Sequence, residues 1–335
     1  MKALKIPLIA AVGIIAIASL LGLLTNPYIQ LIILFLFINS IMGMSLNLVN
    51  GYTGQFSLGH AGFVAVGAYF TAIMTTKFPV PAGLLSIPYF VLISLGGGLV
   101  ASMFGYIVGL PSLRLKGDYL AIVTLGFGEI IRVSLNNISY FGGALGVSSV
   151  PSLPEIDLGG FVISSFITSV AFGTFWALIC FFVIWRLLKS SHGRCFLSVR
   201  EDEIAAEAMG INTTKTKVQA FVVSSFFAGI SGALFAHFTN YISPASFTFL
   251  MSIDAVIIVV LGGMGSMTGC ITSAFIITLL PEILRSLKDY TGGIDFRMII
   301  YSLALILIMI LRPQGLFGDR EITSLWRKKN VGSST

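Results

Sequence analysis

Long apolar runs separated by short polar connections dominate this chain. A helix that crosses the hydrocarbon core of a membrane takes about 20 apolar residues. Runs of that kind lie near 6–24, 29–49, 61–76, 86–110, 119–136, 161–185, 218–238, 250–264, 267–284 and 298–311. The eighth carries Asp254 and ends at Gly262-Gly263, and the tenth is short, so the pattern admits eight to ten crossings. The expected fold is all-α: a polytopic integral membrane bundle of about 10 transmembrane helices.

Composition excludes a soluble domain of this size. Of 335 residues, 56% are hydrophobic and 10% charged, too little polar surface to keep such a chain in water. Ten spans take up about 200 residues, which leaves short connections and no room for a second domain. The formal charge of +6 is spread between apolar runs and not gathered on a face interleaved with aromatics, so nucleic acid is not an expected partner. Membrane lipid is.

The same charges set the expected topology, because connections on the cytoplasmic side retain Lys and Arg. With alternate connections on opposite sides, fifteen fall on one side: Lys2, Lys5, Arg114, Lys116, Arg186, Lys189, Arg194, Arg200, Lys215, Lys217, Arg312, Arg320, Arg327, Lys328 and Lys329. Four fall on the other: Lys77, Arg285, Lys288 and Arg297. Both termini are therefore expected in the cytoplasm, in a multi-pass protein of the cell inner membrane. Lys2, Lys5 and Ala16-Ile17-Ala18 imitate a signal peptide, but the apolar run continues to Leu24, so an uncleaved first helix is expected. Ten spans divide into two sets of five of opposite orientation, the parity of a 5+5 inverted repeat, although the halves show no sequence match. The expected division is a transmembrane domain over 1–318 and a basic cytoplasmic tail over 319–335, where Trp326 and Arg327 to Lys329 suit an anionic leaflet.

Two regions carry candidate chemistry. The inner connection at about 187–217 is the most charged stretch, with Glu201, Asp202 and Glu203 leading into a short helix from Ile204 to Met209 that stops at Gly210, ahead of Asn212. Two readings stand: an ordinary solvated loop helix, or a helix whose small residues Ala205 and Ala206 slot into a groove on a soluble partner and transmit force. The other region is Gly51, Gly54, Gly59, Gly62 and Gly67 around Tyr52, Gln55, Ser57 and His60. Glycines there either pack helices closely or break one beside a polar cavity. His60 either meets a substrate carboxylate or satisfies a nearby carbonyl. Glu129 lies inside a span with Arg132 at i+3, as a structural ion pair or a gating element. Gly262 and Gly263 form a hinge lining a path, or a packing turn. Cys180, Cys195 and Cys270 are far apart and read as packing residues; no metal site is expected.

Six ordered blocks, SLNLVNGYTGQFSLGHAGFVAVGAYFTA at Ser45–Ala72, LRLKGDYLAIVTLGFGEIIR at Leu113–Arg132, GR at 193–194 with VREDEIA at Val199–Ala205, SPASFTF at Ser243–Phe249, VVLGGMGS at Val259–Ser266 and RPQGLFG at Arg312–Gly318, resemble the LivM-type permeases of branched-chain amino acid importers. Ala205-Ala206 with Gly210 is similar to the EAA loop by which permeases of ATP-binding-cassette importers engage their ATPases, with Ile204 in place of the leading Glu and no closing Leu-Pro. The resemblance implies a second permease subunit, two cytoplasmic ATPase subunits that bind ATP and Mg, and a periplasmic or lipid-anchored binding protein. It implies Glu201, Asp202, Glu203, Ala205, Ala206 and Gly210 as ATPase-coupling residues, and a path past Tyr52, Gln55, Ser57, His60, Glu129, Gly262 and Gly263. The outer loop 140–160, with Glu155 and Asp157 and no Lys or Arg, is a candidate docking surface for the binding protein. The chain has no G-x-x-x-x-G-K-[ST] phosphate loop, no H-E-x-x-H and no G-x-S-x-G, so a transport subunit, not an enzyme, is expected and no cofactor of its own. Two alternatives remain: a permease for urea or another small amide, and an ion-coupled transporter using Asp118, Glu129 and Asp254.

Overall fold

The computed structural model describes residues 26–81, 83–112, 117–157, 162–285, 302–303, 306, 310–311 and 314–318. Helix α1, Pro27–Asn47, starts with proline in its first turn, where a missing N–H costs nothing, and runs into a π-turn at Leu48–Tyr52. After a non-helical stretch, α2 covers His60–Lys77, α3 Ser86–Ser112 and α4 Asp118–Asn137. Strands β1, Ile156–Asp157, and β2, Val162–Ile163, pair antiparallel with Ile156 opposite Ile163. Then follow α5 (Ser165–Leu188), α6 (Ser191–Glu201), α7 (Glu203–Ala208), α8 (Thr213–Thr239), α9 (Phe249–Gly262) and α10 (Met267–Arg285).

The protein is a polytopic helical membrane protein. Seven of its described helices are long and apolar enough to cross a membrane: Pro27–Tyr52, Gly83–Pro111, Tyr119–Asn137, Ser165–Leu188, Thr213–Thr239, Pro244–Gly262 and Met267–Leu284. They correspond to seven of the expected runs, including the eighth, where Asp254 does not interrupt α9. The run at 61–76 forms α2, which carries His60, three threonines and Lys77 and is not among the seven. The run at 6–24, most of 298–311 and the tail 319–335 lie outside the described residues, and the count of ten and the 5+5 repeat rest on them. The inner connection is more helical than expected. Helix α5 runs on to Leu188, α6 occupies Ser191–Glu201, and α8 begins at Thr213.

Helix α8 is the axis of the bundle and packs on α1, α2 and α3. Small residues make this possible. A Cβ on Gly67 would overlap the Gly229 backbone, and one on Gly232 the Val64 carbonyl, so α2 and α8 cross with backbone against backbone. Buried Phe63 and Phe221 meet edge to face beside that crossing, with ring centroids 5.5 Å apart.

Helix ends sort into two sets, as alternating connections require. At one end lie the π-turn, α6 with α7, and the turn between α9 and α10, where Arg200 meets Gly51 and Asn47 meets Gly265. At the other, Tyr28 donates to Glu282, Lys77 donates to Tyr140, and Val147 and Ile242 form an antiparallel bridge. That bridge fastens the long connection after α4 to the α8–α9 connection, reinforced by the His237 Nδ1 contact with the Pro151 carbonyl at 2.9 Å.

Candidate translocation path and coupling surface

Two short α-helices are entered through backbone that is not α-helical, with a single 3-10 turn at Pro244–Ser246 before the second. By residue count α2 is about 27 Å long and α9 about 21 Å, against a hydrocarbon core of about 30 Å. Thr53–Gly59 leads into α2, and Asn240–Thr248 leads into α9. Such backbone is tolerated at membrane depth only where protein or a polar cavity satisfies it. Here protein does so. Gln55 N–H donates to the Val49 carbonyl at 3.0 Å, Ser57 N–H to Asn50 Oδ1 at 3.2 Å, and Leu58 N–H to Thr124 Oγ1 at 3.1 Å. Ala61 N–H, in the first turn of α2, donates to Ser252 Oγ of α9 at 3.0 Å. The π-turn supplies this geometry by carrying Asn50 round to the bend, a placement a regular α-turn would change.

A third break, Gly263-Met264-Gly265-Ser266, joins α9 to α10. Gly263 has φ +106°, a conformation that favours glycine. The Asn47 carboxamide closes this turn from α1: its oxygen accepts the Gly265 N–H at 3.0 Å and its nitrogen donates to the Ser266 carbonyl at 3.2 Å. The end of α9 is satisfied by distant chain, with Leu316 N–H donating to the Leu261 carbonyl at 2.8 Å and Phe317 N–H to that of Gly262 at 3.3 Å. Gly262 itself is buried against Gly269.

Among the polar residues expected on a path, Ser57 and Tyr52 are buried and Gln55 half-buried. His60 is fully enclosed, with Nε2 2.9 Å from Ser45 Oγ. Ser45 Oγ donates to the Met42 carbonyl at 2.9 Å, and Ser224 donates to the Ser45 carbonyl at 2.6 Å. His60 therefore ties α1, α2 and α8 together and faces no open space in this conformation.

Glu129 does. The bend, α4 and the start of α9 border a narrow cleft with room for about one water molecule, lined by Leu58, Ala61 and Gly62, by Leu125, Gly128 and Glu129, and by Phe247, Thr248, Phe249 and Ser252. In this conformation it is far too small to hold an amino acid. Seven of its ten lining residues are apolar or glycine, but the surface they open to it is more polar than apolar, with two hydroxyls and one carboxylate. Arg132 Nε donates to Glu129 Oε2 at 2.7 Å, and both side chains remain about one-third exposed. A half-exposed ion pair midway along a membrane helix is costly unless it faces a polar lumen or another protein.

On the inner connection, the acidic residues have separate tasks. Asp202 caps α7, accepting from Ile204 N–H at 2.8 Å and Ala205 N–H at 3.1 Å. Glu203 pairs with Lys217 at 2.6 Å, and Glu207 accepts from Thr213 Oγ1 at 2.6 Å, so α7 is fastened to the base of α8. Glu201 is largely exposed. Gly210, with φ +84°, turns the chain after α7. The two alanines part company: Ala206 is buried against the protein's own body, while Ala205 faces out with Ile204 and Met209, 73% and 82% exposed. The outward surface of α7 is thus Ile204, Ala205 and Met209, and Ala206 is a packing residue.

The profile of the permease component of branched-chain amino acid transport systems matches residues 28–311. The chain belongs to this permease family. It is 37% identical over 297 residues to the high-affinity branched-chain amino acid transport system permease protein LivM of Salmonella typhimurium, covering 82% of this chain and 67% of that one. It is 25% identical over 340 residues to the probable branched-chain amino acid transport permease protein LivM of Methanocaldococcus jannaschii, covering 90% and 97%. To the high-affinity branched-chain amino acid transport system permease protein LivH of Escherichia coli it is 24% identical over 298 residues, covering 84% and 92%. No solved structure matches it significantly.

The residues of this permease that hold its breaks in place, Asn47, Asn50, Thr124 and Ser252, were not singled out by sequence reasoning. Two signals were there: asparagines three apart at the end of an apolar run, and polar residues in lipid as a whole being expensive without partners. Among the described residues no group of three or more His, Cys, Asp or Glu is placed to hold a metal ion. Cys180 and Cys270 are buried and Cys195 half-buried, all three as free thiols.

Proposed function

We propose that this permease is one of two membrane subunits of an ATP-binding-cassette importer that carries branched-chain amino acids across the inner membrane. A LivH-like permease is the second membrane subunit. Two ATPase subunits bind ATP and Mg on the cytoplasmic side, and a periplasmic or lipid-anchored protein delivers the substrate. Both termini and the inner connection face the cytoplasm, as the excess of Lys and Arg on that side implies.

The observation that carries energisation from outside the chain is the surface of α7. Two large apolar side chains, Ile204 and Met209, stand exposed on a charged helix held rigidly to α8. Exposed apolar surface beside polar surroundings fits a protein contact. The amino acid reading rests on the relatives' names; the cleft is closed to an amino acid in this conformation, and what it contributes to the reading is Glu129, a carboxylate for an ammonium group once the path opens. Urea offers no formal cation to that carboxylate.

Reconstitution of the chain with a LivH-like permease, the ATPases and the binding protein in liposomes tests the proposal. Leucine uptake that requires ATP in the cytoplasmic compartment is the expected result. ATP hydrolysis stimulated by urea and not by leucine would overturn the substrate. Uptake by this chain alone under an ion gradient would overturn the energy source and point to Glu129 and Asp254 as coupling groups.

A further inference from the structure

Arg200 stands in the last turn of α6 and reaches across to α1. Its Nη1 donates to the Gly51 carbonyl at 3.1 Å. That oxygen belongs to the π-turn, where the helix stops and its last carbonyls run out of intrahelical partners. The Arg200 backbone and side chain also press on the next turn of chain: a Cβ on Gly54 would lie 3.4 Å from both Cα and Cγ of Arg200. Helix α6 can act as a rigid arm because Phe196 and Val199 are buried in the body of the protein.

The inner segment therefore has two attachments of different character. At α7 and α8, the Lys217 ammonium is 2% exposed and held by Glu203 at 2.6 Å, with the Thr213 to Glu207 hydrogen bond beside it. Separating that pair strands a buried charge, so this end is fixed. At the π-turn, the Arg200 side chain is 26% exposed and its Nε also lies 3.9 Å from Glu201 Oε1, so its charge keeps a partner on α6 when it lets go of the Gly51 carbonyl. This end is the releasable one. Only three residues separate Gly54 from Leu58, which lines the cleft.

We infer that Arg200 is the positioning residue that links displacement of the α6–α7 arm to the Thr53–Gly59 bend, and so to the inner wall of the cleft. The inference rests on the proposal that α7 docks an ATPase. Without the Arg200 to Gly51 contact, an ATPase would still dock on α7 and still turn over, but its movement would no longer reach the bend.

The test uses the assembled importer in liposomes, with radiolabelled leucine uptake and phosphate release measured on the same preparation. The series Arg200→Lys, Arg200→Gln and Arg200→Ala keeps, weakens and removes the donor. The expected result is that leucine carried per ATP falls about tenfold in Arg200→Ala with phosphate release retained, and that Arg200→Lys recovers at least half of it. Should Arg200→Ala not assemble, Arg200→Gln against Arg200→Lys gives the same comparison. Equal leucine per ATP across the series overturns the inference, as does a lysine variant no better than glutamine. Failure of the underlying proposal shows separately, as ATP-independent uptake in the unmutated assembly.

Discussion

The Lys217 ammonium lies 2.6 Å from the Glu203 carboxylate and is almost wholly withdrawn from solvent, while Glu203 keeps about a quarter of its side chain exposed. The pair joins a six-residue helix, too short to stand alone, to the most enclosed of the seven spanning helices. Removing one partner leaves the other charge uncompensated; removing both does not. Lys217→Met is expected to cost about 3 kcal/mol, the low end for a broken buried pair because Glu203 is partly hydrated. Lys217→Met with Glu203→Gln should cost clearly less. Unfolding curves of the purified chain in detergent, arranged as a double-mutant cycle, check this, and additive costs would count against a coupled pair.

Glu129 tests function against structure. An ion pair with both side chains about one-third exposed contributes roughly 0–1 kcal/mol, so Glu129→Gln should leave the melting temperature nearly unchanged. If the carboxylate meets a substrate ammonium, leucine uptake should fall about tenfold, equivalent to about 1.4 kcal/mol. Unchanged uptake with a lowered melting temperature would make the pair structural only.

On α7 the outcome depends on which side chain is changed. Ile204→Asp alters an outward residue, 73% exposed, and is expected to abolish copurification of the ATPase while the permease still folds. Ala206→Arg forces a long charged side chain into a site only 4% exposed, so it should lower folded yield. Normal ATPase binding by Ile204→Asp would place the contact elsewhere.

At the α2–α8 crossing there is no flexible side chain to yield. Gly67→Val would set a branched carbon with two methyl groups against the Gly229 backbone, and the helices would have to separate. A loss of at least about 1–3 kcal/mol is expected, read as a lower melting temperature in detergent. Gly117→Ala, a position with open space but φ +59°, should show only the smaller cost of backbone strain.

Much of the bundle was legible because lipid imposes one rule on every span: length and apolar content. Seven runs obeyed it and formed helices at nearly the expected places. The glycine-dense block at 51–67 left close packing and a break both open, and the structure has both, a bend at 53–59 and close packing at Gly67. What pins that break was not legible, since Asn50 holds Ser57 seven positions on and Thr124 holds Leu58 across 66, each through a single hydrogen bond, and no hydrophobic pattern marks such a pairing. Helix α6 was missed for a different reason. SHGRCFLSVRE has glycine and two serines and little intrinsic helix preference; burial of Phe196 and Val199 decides it. The facing of Ala206 follows from the Lys217 to Glu203 attachment, which lies outside any six-residue window.

Asn47 carries a consequence for how the protein is made. Its two partners, Gly265 and Ser266, come 218 and 219 positions later in the chain. A ribosome adding about 5–20 residues per second needs roughly 10–40 s to supply them. Through that interval the carboxamide of α1 has no final partner, and an unsatisfied amide in lipid is unfavourable. Joining helix α1 to the α9–α10 turn is thus a late event of assembly that must wait for most of the polypeptide. A chain that stops early exposes its incompleteness at the centre of the subunit and not at its edge.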